Sequence, residues 1–465
     1  MTLRFALSIA ASTLSLAGCV GPRPPLPLDA QIVPPLEWRF ETGSVASIDN
    51  QWWRMFGDPK LNAVVDEALA HSPNIGEAVE RVEEARALQR QARANRGPEI
   101  DVDNIGGYTR SLGPPIITTP FAEPQASASW DLDLFHRLRE ADRAARANLL
   151  GSEAARDAVR LSVASTAAAS YITLVGLDTR LAIVRQNIKL RAEYLHTAER
   201  RAVLGYTSKL ELQQARAEYV STTALEPAAQ LAVSQAEDAL SILLGAAPRA
   251  IVRTSAPLTE LQIPSVPGAL PSSLLRRRPD VVAAEDAVVA ADHSLSSARA
   301  AMLPDFALTG DVGEEFAQVL AHGEVEYLVA NSVLAPLFDS GRRRAAADAV
   351  AARRNQAAYA FKGAVLGALR DVNDALAAIQ RDREQDQRLD SQVDLESKAL
   401  KISSERYKAG YTPYVDQLDS ERQLLAAQLN FTQARTARLT AVVGLYEALG
   451  GGWRAAPGPN EKRPS

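Results

Sequence analysis

The tripeptide Gly205-Tyr206-Thr207 recurs in the second half of the chain as Gly410-Tyr411-Thr412, 205 positions later. Other matches lie on both sides of this one and keep the same order at almost the same spacing. They are Pro73-Asn74 with Pro279-Asp280, Leu134-Phe135 with Leu337-Phe338, and Leu244-Gly245 with Leu449-Gly450. Chance matches do not stay in order at nearly constant spacing, so the chain is predicted to be an internal duplication.

Each copy is predicted to contain an opening helix, two strands, a very long helix and a return helix. The glycine of each tripeptide ends the long helix, because glycine is common just after a helix C-terminus. Pro227 falls inside a return helix and predicts a kink or a joint there. The predicted helices are 61–96, 136–204 and 208–245 in the first copy, and 279–303, 340–408 and 413–449 in the second.

The predicted strands alternate between apolar and polar side chains. In the segment 125–134 the alternation is strict, with Ala126, Ala128, Trp130, Leu132 and Leu134 on one face. In the second copy Phe306, Leu308 and Val312 share one face. Strands 98–110 and 325–338 alternate less cleanly, and segments 111–124 and 313–324 are predicted as loops. About ten alternating residues match a transmembrane β-strand, although a half-buried soluble sheet alternates in the same way.

The N-terminus predicts export and favours the membrane interpretation. Arg4 precedes the apolar run 5–16, which is too short to span a bilayer and is typical of a signal peptide. Leu16-Ala17-Gly18-Cys19 resembles a bacterial lipobox, so Cys19 is the predicted lipidation site. An ordinary signal peptide with an incidental cysteine is the alternative. No later segment is expected to span a membrane as a helix.

These features predict a domain order along the whole chain. It runs through a signal peptide (1–18), a lipidated N-terminal segment (19–60), a first repeat (61–245, with its hairpin at 98–135), an equatorial connection (246–278), a second repeat (279–449, with its hairpin at 304–338) and a C-terminal tail (450–465).

Four strands from two hairpins cannot close a barrel, and open sheet edges are not tolerated in lipid. Several chains must therefore share one barrel. Three chains give twelve strands, an even number within the known range. A dimer with eight strands is formally possible, but side chains would fill its interior. Each long helix would extend roughly 100 Å at 1.5 Å per residue, long enough to cross most of a periplasm.

Three motifs carry a family resemblance: QWWRMFGDPKL at 51–61, LRRRPDV at 275–281, and YKAG at 407–410 with Asp416, Leu418, Asp419 and Arg422 behind it. Together they resemble the outer-membrane factor family, the TolC-like proteins, and in particular the lipoprotein branch of multidrug efflux channels. The resemblance covers residues 45–450, nearly the whole chain.

The resemblance implies a mainly α fold with a membrane β-barrel. Three internally duplicated chains would form a twelve-strand β-barrel continuous with a twelve-helix periplasmic α-barrel, surrounded by a mixed equatorial belt. The implied function is a passive duct for small molecules such as drugs, working with a periplasmic adaptor (membrane fusion) protein and an inner-membrane pump. The protein would be lipid-anchored in the bacterial outer membrane and would extend into the periplasm.

The resemblance further places Tyr407, Asp416 and Asp419 at a closed periplasmic entrance. The two aspartates are three residues apart and share a helix face, so a trimer would turn each into a ring of like charges. Arg422 is three residues further on and is placed to neutralise Asp419, while Tyr407 is placed to hydrogen-bond to a neighbouring helix. A solvated helix face near a turn is the alternative interpretation.

Two departures qualify the predicted entrance. Some family members have an arginine where this chain has Thr412, so that link of the restraining network cannot be carried over. The first copy has Glu211 and Gln214 where the second has Asp416 and Asp419. This asymmetry predicts that the helix pair 340–449 is the moving element and the pair 136–245 its stator, with Glu211 outside the restraint.

The remaining motifs are predicted to be structural. The runs 276–278 and 342–344 precede or open helices, and Trp52, Trp53 and Phe56 are expected to pack the N-terminal segment onto the belt. Trp130 is a candidate for an aromatic girdle at the membrane interface.

Enzyme and nucleic-acid functions find little support in the composition. The net charge of −5 provides no basic face for nucleic acid. No nucleophile elbow or phosphate-binding glycine loop occurs, so no catalysis, cofactor or metal is expected. The five histidines have no metal-ligand spacing; they are His71, His136, His196, His293 and His322.

Two alternative functions stay open. A lipid-anchored periplasmic adaptor or scaffold also has long helical hairpins, but it usually has one hairpin rather than a duplicated unit with strand pairs. A duct for protein secretion would share the fold and differ in its cargo.

Overall fold

The computed structural model describes most of the chain, namely residues 23–40, 49–110, 113, 115–116, 118–255, 257–265, 268, 271–317 and 324–453. The predicted signal peptide, Cys19, His322 and most of the C-terminal tail lie outside the described residues. Among the described residues, one compact unit comprises 23–32, 80–153 and 282–364. The second unit comprises 33–40, 49–79, the described parts of 154–281, and 365–453.

The order of helices and strands is the same in the two halves of the chain. The first half contains α1 (Pro59–His71), α2 (Pro73–Ala94), β1 (Glu99–Arg110), β2 (Thr118–Asp131), α3 (Arg137–Val203), α4 (Lys209–Thr223) and α5 (Leu225–Leu243). The second half contains α6 (Pro279–Ala300), β3 (Asp305–Ala317), β4 (Glu324–Leu334), α7 (Arg342–Lys408) and α8 (Tyr414–Ala448). The two long helices, α3 and α7, lie within two residues of their predicted bounds.

Proline explains both interruptions of the predicted helices. The opening helix expected at 61–96 is two helices, because a residue that precedes proline disfavours the α conformation and Ser72 precedes Pro73 with ψ 126°. The joint predicted from Pro227 is present: α4 ends at Thr223, and Pro227 lies in the first turn of α5. There the missing N–H costs nothing, since the first turn has no intrahelical acceptor for it.

The strand boundaries differ from those predicted. β2 begins at Thr118, inside the expected loop 111–124, and ends at Asp131, so Leu132 and Leu134 lie beyond it. The ladder with β1 passes through Pro124, while pairing with β3 is interrupted there. Proline is tolerated at such an interruption because it has no N–H to donate. β3 likewise continues to Ala317, into the expected loop 313–324.

The four strands form one antiparallel sheet in the order β1-β2-β3-β4, within the first unit. Its register aligns rows of apolar side chains next to rows that are mostly polar, with Leu328 and Leu334 of β4 as exceptions in the polar rows. One row aligns Val102, Ala126, Val312 and Tyr327, and the adjacent row aligns Asp103, Gln125, Gly313 and Glu326. Val102 and Tyr327 are more than four-fifths exposed. The sheet therefore presents a continuous apolar face outward instead of burying it in the chain's own core.

The main hydrophobic core of the second unit forms around the tryptophan motif. Trp52 and Phe56 are fully buried, and the Trp52 ring stacks on Tyr446 of α8 with 5.2 Å between ring centroids. Tyr171 of α3 is also buried and donates a 2.6 Å hydrogen bond to Asp58, whose other oxygen caps α1. The expected packing role of the motif is confirmed.

Arg278 explains the arginine run at 276–278. Its guanidinium pairs with Asp280 at 2.7 Å and with Asp371 of α7 at 3.1 Å, and it also donates to the Ala448 carbonyl at the end of α8. Burial opposes the charge, but the two carboxylates outweigh it and raise the pKa of Arg278. The residue joins two helices of the second unit, which is a structural role.

One helix, α3, is long and apolar enough to span a membrane by composition. The expectation that no segment after the signal peptide would meet this condition is therefore wrong. Within α3 an 18-residue window has a mean hydropathy of 1.3, in the range of a membrane span. Half of that window is buried inside the structure. A core helix of a soluble region gives the same signal, so the window does not identify a span.

We expect Gly450→Ala to destabilise the protein more than Gly410→Ala. Both glycines have φ near +80°, where a Cβ costs about 1–2 kcal/mol. A Cβ on Gly450 would also lie 2.0 Å from the Arg277 carbonyl oxygen, whereas Gly410 has open space around it. Thermal unfolding of the purified variants measures the difference. Equal midpoints would show that the Gly450 contact carries no stability.

Candidate functional site

Two turns that connect helices bring the predicted entrance residues together in the second unit. One joins α3 to α4 and the other joins α7 to α8, and each contains a glycine. Gly205 and Gly410 have φ of +78° and +79°. The following amides donate back to the helix, from Tyr206 to the Arg201 carbonyl and from Tyr411 to the Arg406 carbonyl, each at 2.9 Å. These bonds close the C-termini of α3 and α7 and reverse the chain, as the duplicated tripeptide predicted.

Three tyrosine rings pack between the helices beside these turns. Tyr194 of α3 stacks on Tyr414 of α8 with 4.1 Å between ring centroids. The Tyr407 ring, from α7, lies tilted against both, at 6.2 and 5.8 Å. The cluster therefore joins one helix of the first copy to both helices of the second.

A single carboxylate accepts from two of the tyrosine hydroxyls. Tyr407 donates a hydrogen bond to Glu211 of α4, and Tyr194 donates to the same oxygen at 2.9 Å. The two hydroxyls are themselves 3.0 Å apart. Arg201 donates to the Tyr407 hydroxyl at 3.3 Å, and its guanidinium carbon lies 5.8 Å from the centre of that ring. The hydrogen bond expected from Tyr407 to a neighbouring helix is therefore present.

The hydroxyls of this cluster stay protonated at any physiological pH. Burial is the largest cause that raises the pKa of Tyr407, and the hydrogen bond to Glu211 raises it further. Burial, together with hydrogen bonds to Tyr407 and Glu211, also raises the pKa of Tyr194 far above its ordinary value. The neutral hydroxyls therefore form directional hydrogen bonds between helices and do not act as an ionisable switch.

Arg422 has a different partner from the one expected. Its Nε donates at 3.0 Å to Glu218 of α4, and not to Asp419 three residues before it. Glu218 is 7% exposed, and a buried carboxylate needs a pairing charge, whereas Asp416 and Asp419 are exposed to water. The hydrogen bond to Glu218 is the largest cause that raises the pKa of Arg422, and the charge of Asp419 raises it further, so Asp419 interacts with Arg422 only at longer range.

The expected division into a moving and a static helix pair stays a prediction, but the expectation that Glu211 lies outside the restraint does not agree with the structure. Glu211 belongs to the first copy, yet it accepts the hydrogen bond from Tyr407 of the second. The two copies thus share one restraint, and Glu211 is part of it.

Four residues of this site were not found from the sequence: Tyr194, Arg201, Tyr414 and Glu218. Their partners lie more than 190 positions away in the chain for most of the contacts. At the repeat spacing Tyr407 corresponds to Ala202, so the duplication gives no hint of a tyrosine cluster. Thr412 has no guanidinium to contribute to this site, but Arg201 places one beside Tyr407.

Comparison with known proteins places this arrangement in a family. A family model described as outer membrane efflux protein matches residues 64–246 and again 270–451. Pyoverdine export outer membrane protein OpmQ of Pseudomonas putida is 31% identical, over 98% of this chain and 99% of the relative. Cation efflux system protein CusC of Escherichia coli is 30% identical, over 95% of this chain and 97% of the relative.

Solved structures agree with the sequence comparison. The structure of the open state of the MtrE outer membrane channel of Neisseria gonorrhoeae has a TM-score of 0.82 and 29% identity to this chain. The match covers 93% of this chain and 98% of the other.

The chain belongs to the outer membrane efflux protein family. It is an outer-membrane efflux channel protein, as its motifs indicated, and the relatives named above are transport proteins. The expected fold class, mainly α-helical and internally duplicated with a small number of strands, is confirmed.

We expect Glu211→Ala to loosen the ends of the helices at the two turns. The change leaves two half-buried hydroxyls without their shared acceptor, which costs about 1–3 kcal/mol of local stability. Hydrogen exchange of the amides in 196–214 and 403–416 should accelerate. The control is Glu199→Ala, which removes an exposed ion pair with Arg216 on the same helices. Unchanged exchange in the Glu211 variant, or equal acceleration in both, would contradict the assigned restraint.

Proposed function

We propose that three copies of this chain form a passive duct through the outer membrane and the periplasm. The exposed apolar face of the four-stranded sheet supports this most directly. β1 and β4 are the edge strands of that sheet, and hydrocarbon does not tolerate unpaired backbone groups along an edge. Pairing β4 of one copy with β1 of the next closes a twelve-strand barrel and leaves the polar rows facing its lumen.

We infer that the duct works with a periplasmic adaptor and an inner-membrane pump in a tripartite system. The cargo is proposed to be small molecules, since one relative is named for pyoverdine export and another for cation efflux. Ducts of one fold that serve such different cargo select little themselves. The choice of substrate is therefore assigned to the pump, and no catalytic step is assigned to this chain.

The periplasmic entrance is proposed to lie at the two turns that connect α3 to α4 and α7 to α8. The Tyr407 hydroxyl ties α7 to α3 and α4 through Tyr194 and Glu211. Asp416 and Asp419 are exposed on α8, where a trimer would arrange each as a ring of three carboxylates around a narrow opening. The gate residues are thus Tyr407, Asp416, Asp419 and Arg422, the last acting through Glu218.

Cys19 is proposed to carry the lipid anchor. It lies outside the described residues, and the proposal rests on the lipobox-like sequence before it. The first described residue is Arg23, four positions after Cys19, and it pairs with Asp292 of α6 in the first unit. An anchor at Cys19 would thus be connected by a short segment to a fixed point on this unit.

Tyr407→Phe should raise the time-averaged conductance of the channel in planar bilayers by about tenfold. Removing a hydrogen bond to a charged acceptor costs about 1.5–3 kcal/mol, and each 1.4 kcal/mol is a factor of ten in the open population. Tyr411→Phe is the matched control, because Tyr411 is the exposed tyrosine of the same turn. Asp416→Ala with Asp419→Ala should also raise conductance by removing the charged rings.

The same measurement separates the duct from a periplasmic scaffold. A scaffold would stay monomeric and show no conductance, even with Tyr407, Asp416 and Asp419 all replaced. That result would reject the proposed function as a whole.

Cys19→Ser should abolish incorporation of labelled fatty acid into the protein. The native chain has this one cysteine, so no other thiol can replace it. Metabolic labelling followed by membrane fractionation checks both the modification and the location. Label retained in the Cys19 variant would show that the lipid, if present, is attached elsewhere.

A further inference from the structure

Arg191 is a buried cation on α3 that has no part in the gate described so far. The residue is 3% exposed. Its Nη1 forms an ion pair with Glu421 of α8, and its Nη2 lies 3.8 Å from Glu218 of α4. Among the residues that the structure describes, Nη2 has no hydrogen-bond partner. The charge of Arg191 is therefore compensated mainly by the contact with Glu421.

The charges around Arg191 alternate in sign. Glu421 pairs with Arg191, Arg191 approaches Glu218, and Glu218 pairs with Arg422. The second oxygen of Glu421 accepts from Gln417 at 2.8 Å. The four charged groups sum to zero and come from three helices, α3, α4 and α8. Such a network forms only while the helices are packed together, and removing one member by mutation leaves its partner's charge buried without compensation.

This ionic layer lies one helical turn from the tyrosine layer along α3. Arg191 and Tyr194 are three residues apart and thus lie on one face of the helix. The tyrosine layer hydrogen-bonds α7 to α3 and α4 through Tyr407. The ionic layer bonds α8 to the same two helices through Glu421 and Arg422. The tyrosine layer thus holds α7 by hydrogen bonds and α8 by the stacking of Tyr414 on Tyr194, whereas the ionic layer adds charge pairs to α8.

We propose that Arg191 is a positioning residue of the entrance, an ionic latch that holds α8 against the first copy in addition to the tyrosine layer. The latch rests on the proposed function, since it presumes that the turns form a gate. Opening then requires two separate steps, one that releases hydroxyls from Glu211 and one that parts Glu421 and Arg422 from their partners on the first copy. Loss of either layer removes part of the hold on the second copy and opens the entrance in part.

The test compares variants of Arg191 in the full-length assembled protein by conductance in planar bilayers. Arg191→Met keeps the length and apolar stem of the side chain and removes its charge, and should raise conductance by about tenfold, the factor that 1.4 kcal/mol of lost closing free energy produces. Arg191→Lys keeps the charge and should stay near the wild-type value. Glu421→Gln removes the partner's charge and should behave like Arg191→Met.

Arg185→Met is the matched control. Arg185 lies on the same helix, but it forms an exposed ion pair with Glu226 of α5 at 2.8 Å, within the first copy. Its loss should leave conductance unchanged, because an exposed pair contributes little. A residue that acts through packing alone would be served by Met at least as well as by Lys, so the order of the two Arg191 variants decides between packing and charge.

The double variant Arg191→Met with Tyr407→Phe tests whether the layers are separate. If the layers are separate, the two changes should multiply their effects on conductance; a departure from the product would show that they form one network, coupled through Tyr414, which lies close to Arg191. If Tyr407→Phe opens the channel while Arg191→Met and Glu421→Gln conduct like wild type, the latch is rejected and the gate stands. If Arg191→Met prevents assembly, Glu421→Gln supplies the same comparison. If no variant conducts, the proposed duct itself is rejected.

Discussion

The backbone groups along the two edges of the β-sheet impose the constraint on which the rest of the structure depends. Hydrocarbon supplies no hydrogen-bond partners, so a sheet with an exposed apolar face can sit in lipid only if its edges are paired. One chain provides four strands, with β1 and β4 at the edges. Further copies must supply the missing neighbours. The outward apolar row that includes Val102 and Tyr327 thus calls for oligomerisation before any interface between helices is considered.

The duplication gives the two halves one plan, but the contacts at the helical turns depend on where they differ. At the repeat spacing of 205, Arg191 corresponds to Glu396 and Glu421 corresponds to Arg216. The copies therefore carry opposite charges at these positions, and the first can pair with the second. Tyr407 and Glu211 are likewise complementary without being equivalent. Divergence after duplication has turned two similar helix pairs into partners that restrain each other.

Local sequence features determined how much could be predicted. The long helices, the glycine turns and the alternation in β2 and β3 all follow from patterns within a few residues, and the structure contains them. Pro124 resembled a loop residue, although its place in the ladder shows that a strand accommodates it where pairing is interrupted. The partners of Tyr407 and Arg422 could not be predicted, because they pair through tertiary contacts about 200 positions away.

Disulfide crosslinking between the sheet edges tests the central claim most directly. Single cysteines would be scanned along β1 and β4 in pairs, and the crosslinked species separated by mass under denaturing conditions. The account predicts crosslinks between chains, from β4 of one to β1 of the next, in a ladder that ends at three chains. A ladder that ends at two chains, continues beyond three, or forms only within one chain would contradict it.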